Sequence, residues 1–287
     1  MRLLSSAVLI ALLAVSPPGA RDVRAEEGAR IVSVGGDVTE ILYAIGAGDR
    51  LIAVDTSSRY PAETRALPDV GYMRALSAEP ILALAPDHII AIEDAGPVGA
   101  IDILRQAGVR FTMIPDTPTV EGAIAKIEQT AAAAGLPDAG AALATETRRR
   151  VDAAIAKTPK SGRKPRAIFF LSVGRGGLLA GGRGTSADAI INLAGGENVA
   201  AAFTGYKPIE PEAMTAGDPE IIIVTDRTVK ALGGVDVILT SPQFAGTTAA
   251  RTGRLVAFDG QMLLGFGPRL GEAIEALTAA LHPPRPE

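Results

Sequence analysis

The apolar positions of this chain fall in short runs separated by glycine, proline and acidic residues. IVSVGG (31–36) reads as a buried strand running into a glycine turn. DVTEILYAIGAG (37–48) has helical spacing: Ile41, Leu42 and Ile45 share a face, Asp37 or Thr39 can cap the start, and Gly46 can end it. RLIAVD is a second strand; PDHIIAIED (86–94) and VRFTMIPD (109–116) are two more, with AIDILRQAG (100–108) as a helix between them. Strand, helix and strand in this order predict parallel α/β packing.

The second half repeats the plan. AIFFLSVGRGG (167–177) is a strand entering a glycine-rich loop, and TSADAIINLAGG (185–196) is a capped helix ended by glycines. EPILALAPDHIIA (79–91) lies over EAMTAGDPEIIIV (212–224): each has a glutamate, then seven residues later a proline followed by an acid, then a β-branched strand. The repeat favours two related lobes over one sheet. Between them, DAGAALATETRRRVDAAIAKTP (138–159) keeps Leu143, Thr147, Val151, Ala154 and Ile155 at helical spacing, turns Arg148 to Arg150 elsewhere, and stops at Pro159. About 20 residues rising about 1.5 Å each make a strut of roughly 30 Å. The expected organisation is therefore an N-terminal lobe (26–137), a connecting helix (138–159) and a C-terminal lobe (160–287) that opens with the solvated linker KSGRKPR.

The first 25 residues read as an address. Arg2 precedes the apolar run LLSSAVLIALLAV, and VRA (23–25) fits a small-residue cleavage site before Glu26. That run of 13 residues is short of the roughly 20 that span a bilayer, which favours an export signal over an anchor. The 287-residue chain has no cysteine, so it has no disulfide and no lipid-modified cysteine behind the signal, and a freely diffusing periplasmic protein is expected. Without residues 1–25 it carries 25 basic and 31 acidic side chains, net −6, which suits neither nucleic acid nor an anionic membrane surface.

Several chemistries are excluded. The two histidines, His88 at the start of a strand near a lobe surface and His282 in a proline-rich tail, stand in no zinc-like spacing. A Ser-His-Asp triad would need one of them, and no G-x-S-x-G elbow is present. Without cysteine, thiol catalysis and iron–sulfur ligation are impossible. GRGGLLAGGRGT (174–185) lacks the Lys-Ser or Lys-Thr of a P-loop and reads as a tight turn that lets a ligand approach the backbone. Two lobes, a strut and no catalytic groups suit a binding protein with its ligand cleft between the lobes.

VGYMRALSAEPILAL (70–84), with LPD before it and APDHII after, resembles a segment of the haem-binding proteins of bacterial haem ABC importers. The resemblance runs from RIVSVGGDVTEILYAIGAGDRLIAVD through LAGGRGTSADAIINLAGGENV and YKPIEPEAM to LLGFGPR, leaving out the tail and the linker. It implies a class III periplasmic binding protein: α/β, two Rossmann-like lobes joined by a single long helix. It also implies that Tyr72 is the axial ligand of haem iron and that Arg74 hydrogen-bonds the phenolate. The chemistry is sound, because Fe(III) is hard and so is a phenolate oxygen. A phenol with its ordinary pKa of about 10 needs the metal and a nearby positive charge to ionise at neutral pH. From composition alone Tyr72 is a packed loop aromatic and Arg74 a surface charge; the surrounding motif favours the ligand for Tyr72 and leaves Arg74 open between the two.

Arg227 resembles a second-lobe arginine that approaches the iron side, and is equally a solvated loop residue. Tyr206, Met73 and Phe266 are candidates for the porphyrin faces, with core packing the alternative for each. Relatives that add a histidine from the second lobe have no counterpart here before His282, so one five-coordinate haem is expected. The resemblance makes Glu79 and Glu212 docking points for arginines of the permease; their other reading is favourable charge at a helix N-terminus. Haem as cargo, the permease and an outer-membrane haem receptor system are the expected partners, and the chain is expected to be a monomer. An iron-siderophore or cobalamin binder is the alternative within the superfamily, although there is no tryptophan to suit cobalamin. An extracytoplasmic small-molecule enzyme is the alternative of another class.

Overall fold

Each lobe is built on strands that are apolar on both faces, as a sheet covered by helices on both sides requires. The computed structural model describes residues 28–160, 162–173 and 178–284; the expected export signal and the GRGG of the glycine-rich loop lie outside them. In the N-terminal lobe β1 (Ile31–Val34), β2 (Leu51–Val54), β3 (His88–Ile92) and β4 (Arg110–Ile114) form a parallel sheet in the order β2-β1-β3-β4. Its helices are α1 (Gly36–Ala44), α2 (Ala78–Ala83), α3 (Val98–Gln106) and α4 (Val120–Ala133). The long α5 (Pro137–Lys157) leads to the second lobe. There β5 (Arg166–Ser172), β6 (Leu179–Gly181), β7 (Glu197–Asn198), β8 (Tyr206–Pro208), β9 (Ile221–Thr225) and β10 (Leu255–Phe258) form a mixed sheet, β10-β9-β5-β6-β8, with β7 beside β5. Its helices are α6 (Ser186–Leu193), α7 (Pro211–Gly217), α8 (Asp226–Leu232), α9 (Val235–Leu239), α10 (Thr248–Arg251), α11 (Gly260–Leu264) and α12 (Leu270–Leu281). The α/β, two-lobed reading with one long connecting helix is the architecture found.

The repeat is deeper than the aligned glutamates. Glu79 and Glu212 are each the second residue of a short helix, α2 and α7, and both are exposed. Six residues on, Ala85 and Asp218 both have left-handed backbones, φ 46° and 37°. An arginine clamps each turn. The Arg30 amide donates to the Asp87 carboxylate at 2.8 Å and its Nε to the Ala85 carbonyl at 3.3 Å. The Arg166 amide donates to Glu220 at 2.9 Å and its Nε to the Asp218 carbonyl at 2.9 Å. Both arginines stand at the entry of the first strand of their lobe, so the same device ties the helix that carries the glutamate to the sheet behind it.

α1 starts differently from expectation. Neither Asp37 nor Thr39 caps it; its N-cap is Gly35, without a side-chain cap. Two amides are taken in trans by the segment after β2, Gly35 donating to Asp55 Oδ1 at 2.9 Å and Gly36 to Ser57 Oγ at 3.1 Å, while the Val38 amide donates to Oδ1 of Asp37 at 3.0 Å. Thr39 joins a buried hydroxyl chain with Ser33 and Ser58, 2.7 Å each, and Asp37 pairs with Lys126. The capping of α6 is as expected, with the Thr185 side chain accepting from the Asp188 amide. His88 is a strand residue as read, but buried: its Nε2 lies 2.8 Å from Thr112 Oγ1, and burial, with Arg110 and Arg50 nearby, lowers its pKa to about 4. The glycines 181 and 182 permit close packing within the chain, because a Cβ at Gly182 would lie 2.4 Å from the Phe203 carbonyl oxygen.

The strut is packed along its length. Its first half lies on α4, where a Cβ at Gly140 would come within 2.3 Å of the Ala131 Cβ. Its second half lies on α12, where a Cβ at Gly271 would be 3.0 Å from the Arg150 carbonyl carbon. Ala144, Thr147, Val151 and Ala154 are the buried face.

A second connection joins the lobes. Gln261 on α11 donates to the Gly36 carbonyl at 2.6 Å and accepts from the Arg59 and Tyr60 amides at 2.9 and 3.1 Å. Arg269 grips Glu40 on α1 with two bonds of 2.9 and 2.8 Å, the two side chains only 13% and 5% exposed, and its guanidinium sits 3.8 Å from the Tyr60 ring centroid. Lys126 on α4, wholly buried, pairs with Asp37 and Asp116 and donates to the Gly265 carbonyl at 2.8 Å. Burial lowers the Lys126 pKa, but the two carboxylates more than offset it and the group stays charged.

Ala85→Gly relieves a left-handed strain of about 1 to 2 kcal/mol and, with the entropy cost of glycine set against it, leaves stability unchanged or raised by up to about 1 kcal/mol in urea unfolding. Asp218→Gly lowers it, because that side chain also accepts from the Thr248 amide and hydroxyl at 2.7 and 2.9 Å. Arg269→Ala leaves Glu40 buried without its partner and costs about 3 to 5 kcal/mol at pH 7. Burial already raises the Glu40 pKa against the pull of Arg269. Without Arg269 the pKa rises further, so the deficit shrinks as the pH falls and Glu40 takes a proton, and Glu40→Gln partly rescues the variant.

Candidate functional site

The inter-lobe contacts set where a ligand can lie. α11, which follows β10, packs on the turn after β1, so the carboxyl ends of the strands in the two sheets face each other across a cleft, the usual ligand position in such folds. On the N-terminal side lie the loop 71–76, Asp94 after β3 and Asp116 after β4; on the other side lie Leu171 at the end of β5 and Arg227 just after β9.

The loop that carries Tyr72 is held at both ends. Gly71, at φ 95°, makes the turn and accepts from the Thr56 amide at 3.0 Å. The Ala75 amide donates to the Tyr72 carbonyl at 2.7 Å, Gly96 donates to the Met73 carbonyl at 2.8 Å, and Leu76 donates to the Gly96 carbonyl at 2.8 Å. In this frame Tyr72 and Arg74 point outward, while Met73 turns into the lobe, packs against its core and accepts from Ser57 Oγ at 3.6 Å. Tyr72 is 46% exposed. Arg74 Nη1 donates to its phenol oxygen at 2.9 Å, and Nη2 pairs with Asp94. Burial works against the charge on Arg74, but the contacts with Tyr72 and Asp94 outweigh it and raise its pKa.

The tyrosines differ in what they can offer. Tyr206 is half-buried on the C-terminal side, within electrostatic reach of Arg74 and Asp116 of the other lobe; burial pushes its pKa up to about 12, so it is a neutral phenol at physiological pH. Burial also raises the Tyr43 phenol, and the Tyr60 ring is covered by Arg269. Tyr72 alone of the four is an exposed side chain whose phenol oxygen accepts a guanidinium hydrogen bond, a donor set that fits a hard ferric ion. No cluster of histidine, cysteine or carboxylate with the makings of a metal site occurs among the described residues.

Phe266 is a correction. It is fully buried, with φ 46°, in the core formed by Leu263, Leu270 and Ile274, so it does not face the cleft. The left-handed backbone between α11 and α12 is that of Phe266 itself, and Gly265 lies where a Cβ would meet the Gln261 carbonyl oxygen at 2.6 Å. Arg227 is exposed in the first turn of α8 and, among the described residues, makes no hydrogen bond or ion pair, with Tyr72 or any other group. Residues not expected are Asp94, which takes the second arm of Arg74, and the exposed apolar side chains Leu171 and Val98, 40% and 76% exposed. Val98 follows the Gly96 that pins the tyrosine loop. An acid at the carboxyl end of a predicted strand was the available signal for Asp94. Asp116 is 27% exposed, and burial raises its carboxyl against the pull of Lys126.

Comparison with known proteins agrees with this layout. The chain is 38% identical to the periplasmic heme-binding protein RhuT from Roseiflexus sp. RS-1, solved in apo form, with a TM-score of 0.85 over 88% of this chain and 98% of that one. It is also 38% identical to the periplasmic heme-binding protein BhuT, solved with two hemes, with a TM-score of 0.82 over 88% of this chain and 97% of that one. Among curated proteins, a vitamin B12-binding protein of Vibrio parahaemolyticus serotype O3:K6 is 32% identical over 197 residues, 68% of this chain and 70% of the relative. No helix among the described residues is long and apolar enough to cross a membrane. The periplasmic binding protein model matches residues 31–262, which take in the sheets of both lobes and the strut between them. The chain therefore belongs to the periplasmic binding protein family: it is an extracytoplasmic substrate-binding component of an ABC importer, not an enzyme.

Proposed function

We propose that the protein captures ferric haem in the cleft and delivers it to the importer, its export signal removed near Ala25. The observation that carries this is the pair Tyr72 and Arg74, an exposed phenol with a guanidinium hydrogen-bonded to its oxygen at 2.9 Å on a loop pinned at both ends. Tyr72 binds iron as the phenolate and releases its proton to solvent; Arg74 donates to the same oxygen and offsets its charge. Leu171 and Val98 supply exposed apolar surface for the porphyrin edges, and Arg227 is free to approach the face opposite Tyr72 or a propionate. Tyr206 serves as a neutral hydrogen-bond donor rather than a second ligand. The two solved relatives described as heme-binding support the same cargo.

One haem is bound, because His88 is buried and His282 ends α12, so no histidine stands ready for a second iron. Glu79 and Glu212 dock on arginines of the permease: they occupy equivalent exposed positions on clamped helices, as two charges read by a symmetric partner should. An outer-membrane haem receptor system supplies the cargo. The vitamin B12-binding relative favours cobalamin as the second reading.

Titrating the apo-protein with hemin is expected to give a high-spin ferric spectrum that saturates at one equivalent. Tyr72→Phe loses most of it, and cyanocobalamin does not compete. A saturable response to cyanocobalamin with none to hemin would reverse the assignment of cargo, and saturation at two equivalents would overturn the single site. Charge reversal, Glu79→Arg with Glu212→Arg, is expected to abolish binding to the reconstituted permease while the hemin titration stays the same; normal permease binding would remove the docking role.

A further inference from the structure

We infer that Asp94 is a positioning residue for Tyr72: it holds one arm of Arg74 so that the other stays aimed at the phenol oxygen. The inference rests on the haem reading and adds a residue that the sequence motif does not assign.

The geometry is a fork. Arg74 Nη1 donates to Tyr72 Oη at 2.9 Å and Nη2 to Asp94 Oδ2, with Asp94 twenty residues away in sequence. The two ends of the fork share one rigid frame. Asp94 follows β3, and two residues on Gly96 binds the tyrosine loop on both of its polar groups, donating to the Met73 carbonyl and accepting from the Leu76 amide. Loop, arginine and acid therefore move as one body.

An ion pair this exposed, with side chains 49% and 52% accessible, adds little to folding stability. Its effect is on geometry instead. A guanidinium is planar, so fixing one Nη fixes the direction of the other. With Asp94 absent, Arg74 has a single exposed partner and its long side chain is free to leave it. Such a hold on Arg74 is the outer-shell support that metal-binding side chains commonly require.

The test uses the full mature protein in two arms. In the apo-protein, ¹⁵N-detected NMR of the arginine side chains is expected to show slow rotation of the Arg74 guanidinium in the wild type and fast rotation in Asp94→Ala. Equal rotation in the two would overturn the inference whatever the cargo proves to be. In the second arm, hemin release to excess apomyoglobin is followed by absorbance. Asp94→Ala is expected to release about tenfold faster, while Asp94→Asn, which keeps an acceptor oxygen, falls between it and the wild type. In an Arg74→Ala background, Asp94→Ala is expected to add nothing. The same acceleration in both backgrounds would mean that Asp94 does not act through Arg74, and would also overturn it. If the wild type takes up no hemin, the haem reading fails by itself and the NMR arm decides whether Asp94 holds Arg74.

Discussion

The cleft exists as a fixed aperture because α1 of one lobe and the α11–α12 corner of the other are joined by buried polar contacts. Glu40 and Arg269 form a two-bond ion pair from which water is nearly excluded, and Gln261 satisfies both a carbonyl and two amides of the opposite lobe. Lys126 adds a third tie through the Gly265 carbonyl. Such groups are costly to separate, since each half left behind would be a buried charge or an unpaired polar atom. The strut alone could not do this. A helix holds the separation of two lobes well but resists rotation about its own axis poorly, and the network lies off that axis.

A fixed aperture matters for both proposed contacts. A flat, rigid cargo gains affinity from a cleft that is already shaped, because little ordering has to accompany binding. A symmetric permease reads the distance between two charges, and that distance is useful only if it does not drift. The arginine clamps extend the same logic to each lobe. Arg30 and Arg166 tie the far ends of α2 and α7 to the sheet, so Glu79 and Glu212 stand on helices fixed behind as well as in front.

Local features were legible in the sequence and distant pairings were not. The strand runs, the Thr185 cap and the buried face of α5 depend on neighbours a few residues apart, and the repeat around Glu79 and Glu212 was visible because two copies of one pattern can be compared. Gln261 meets Gly36 and Arg269 meets Glu40 across more than 220 residues, and nothing in either local pattern names its partner. The same holds for α1, whose amides are taken from the segment after β2, so a search for a cap within the helix found Asp37 and Thr39 instead. Phe266 shows the complementary failure. In GFGPR it reads equally as a porphyrin-facing aromatic or a core residue, and the left-handed turn at Phe266 itself is what places the ring in the core.

The two cleft tyrosines show why residue type alone could not define the site. Tyr206 sits where burial pushes its phenol up to about 12, opposed in part by hydrogen bonds with Thr185 and the Ala187 backbone and, less, by the distant charge of Arg74. Tyr72 is an exposed side chain with the guanidinium of the same arginine hydrogen-bonded to its oxygen. The same arginine is thus in hydrogen-bond contact with one phenol and at a distance from the other. Desolvation favours the neutral form and contact with a cation favours the anion. Under the proposed haem reading the exposed phenol is the one offered to iron, while Tyr206 is hydrogen-bonded to Thr185 and the Ala187 backbone of its own lobe. The difference follows from where the backbone places two side chains of the same kind.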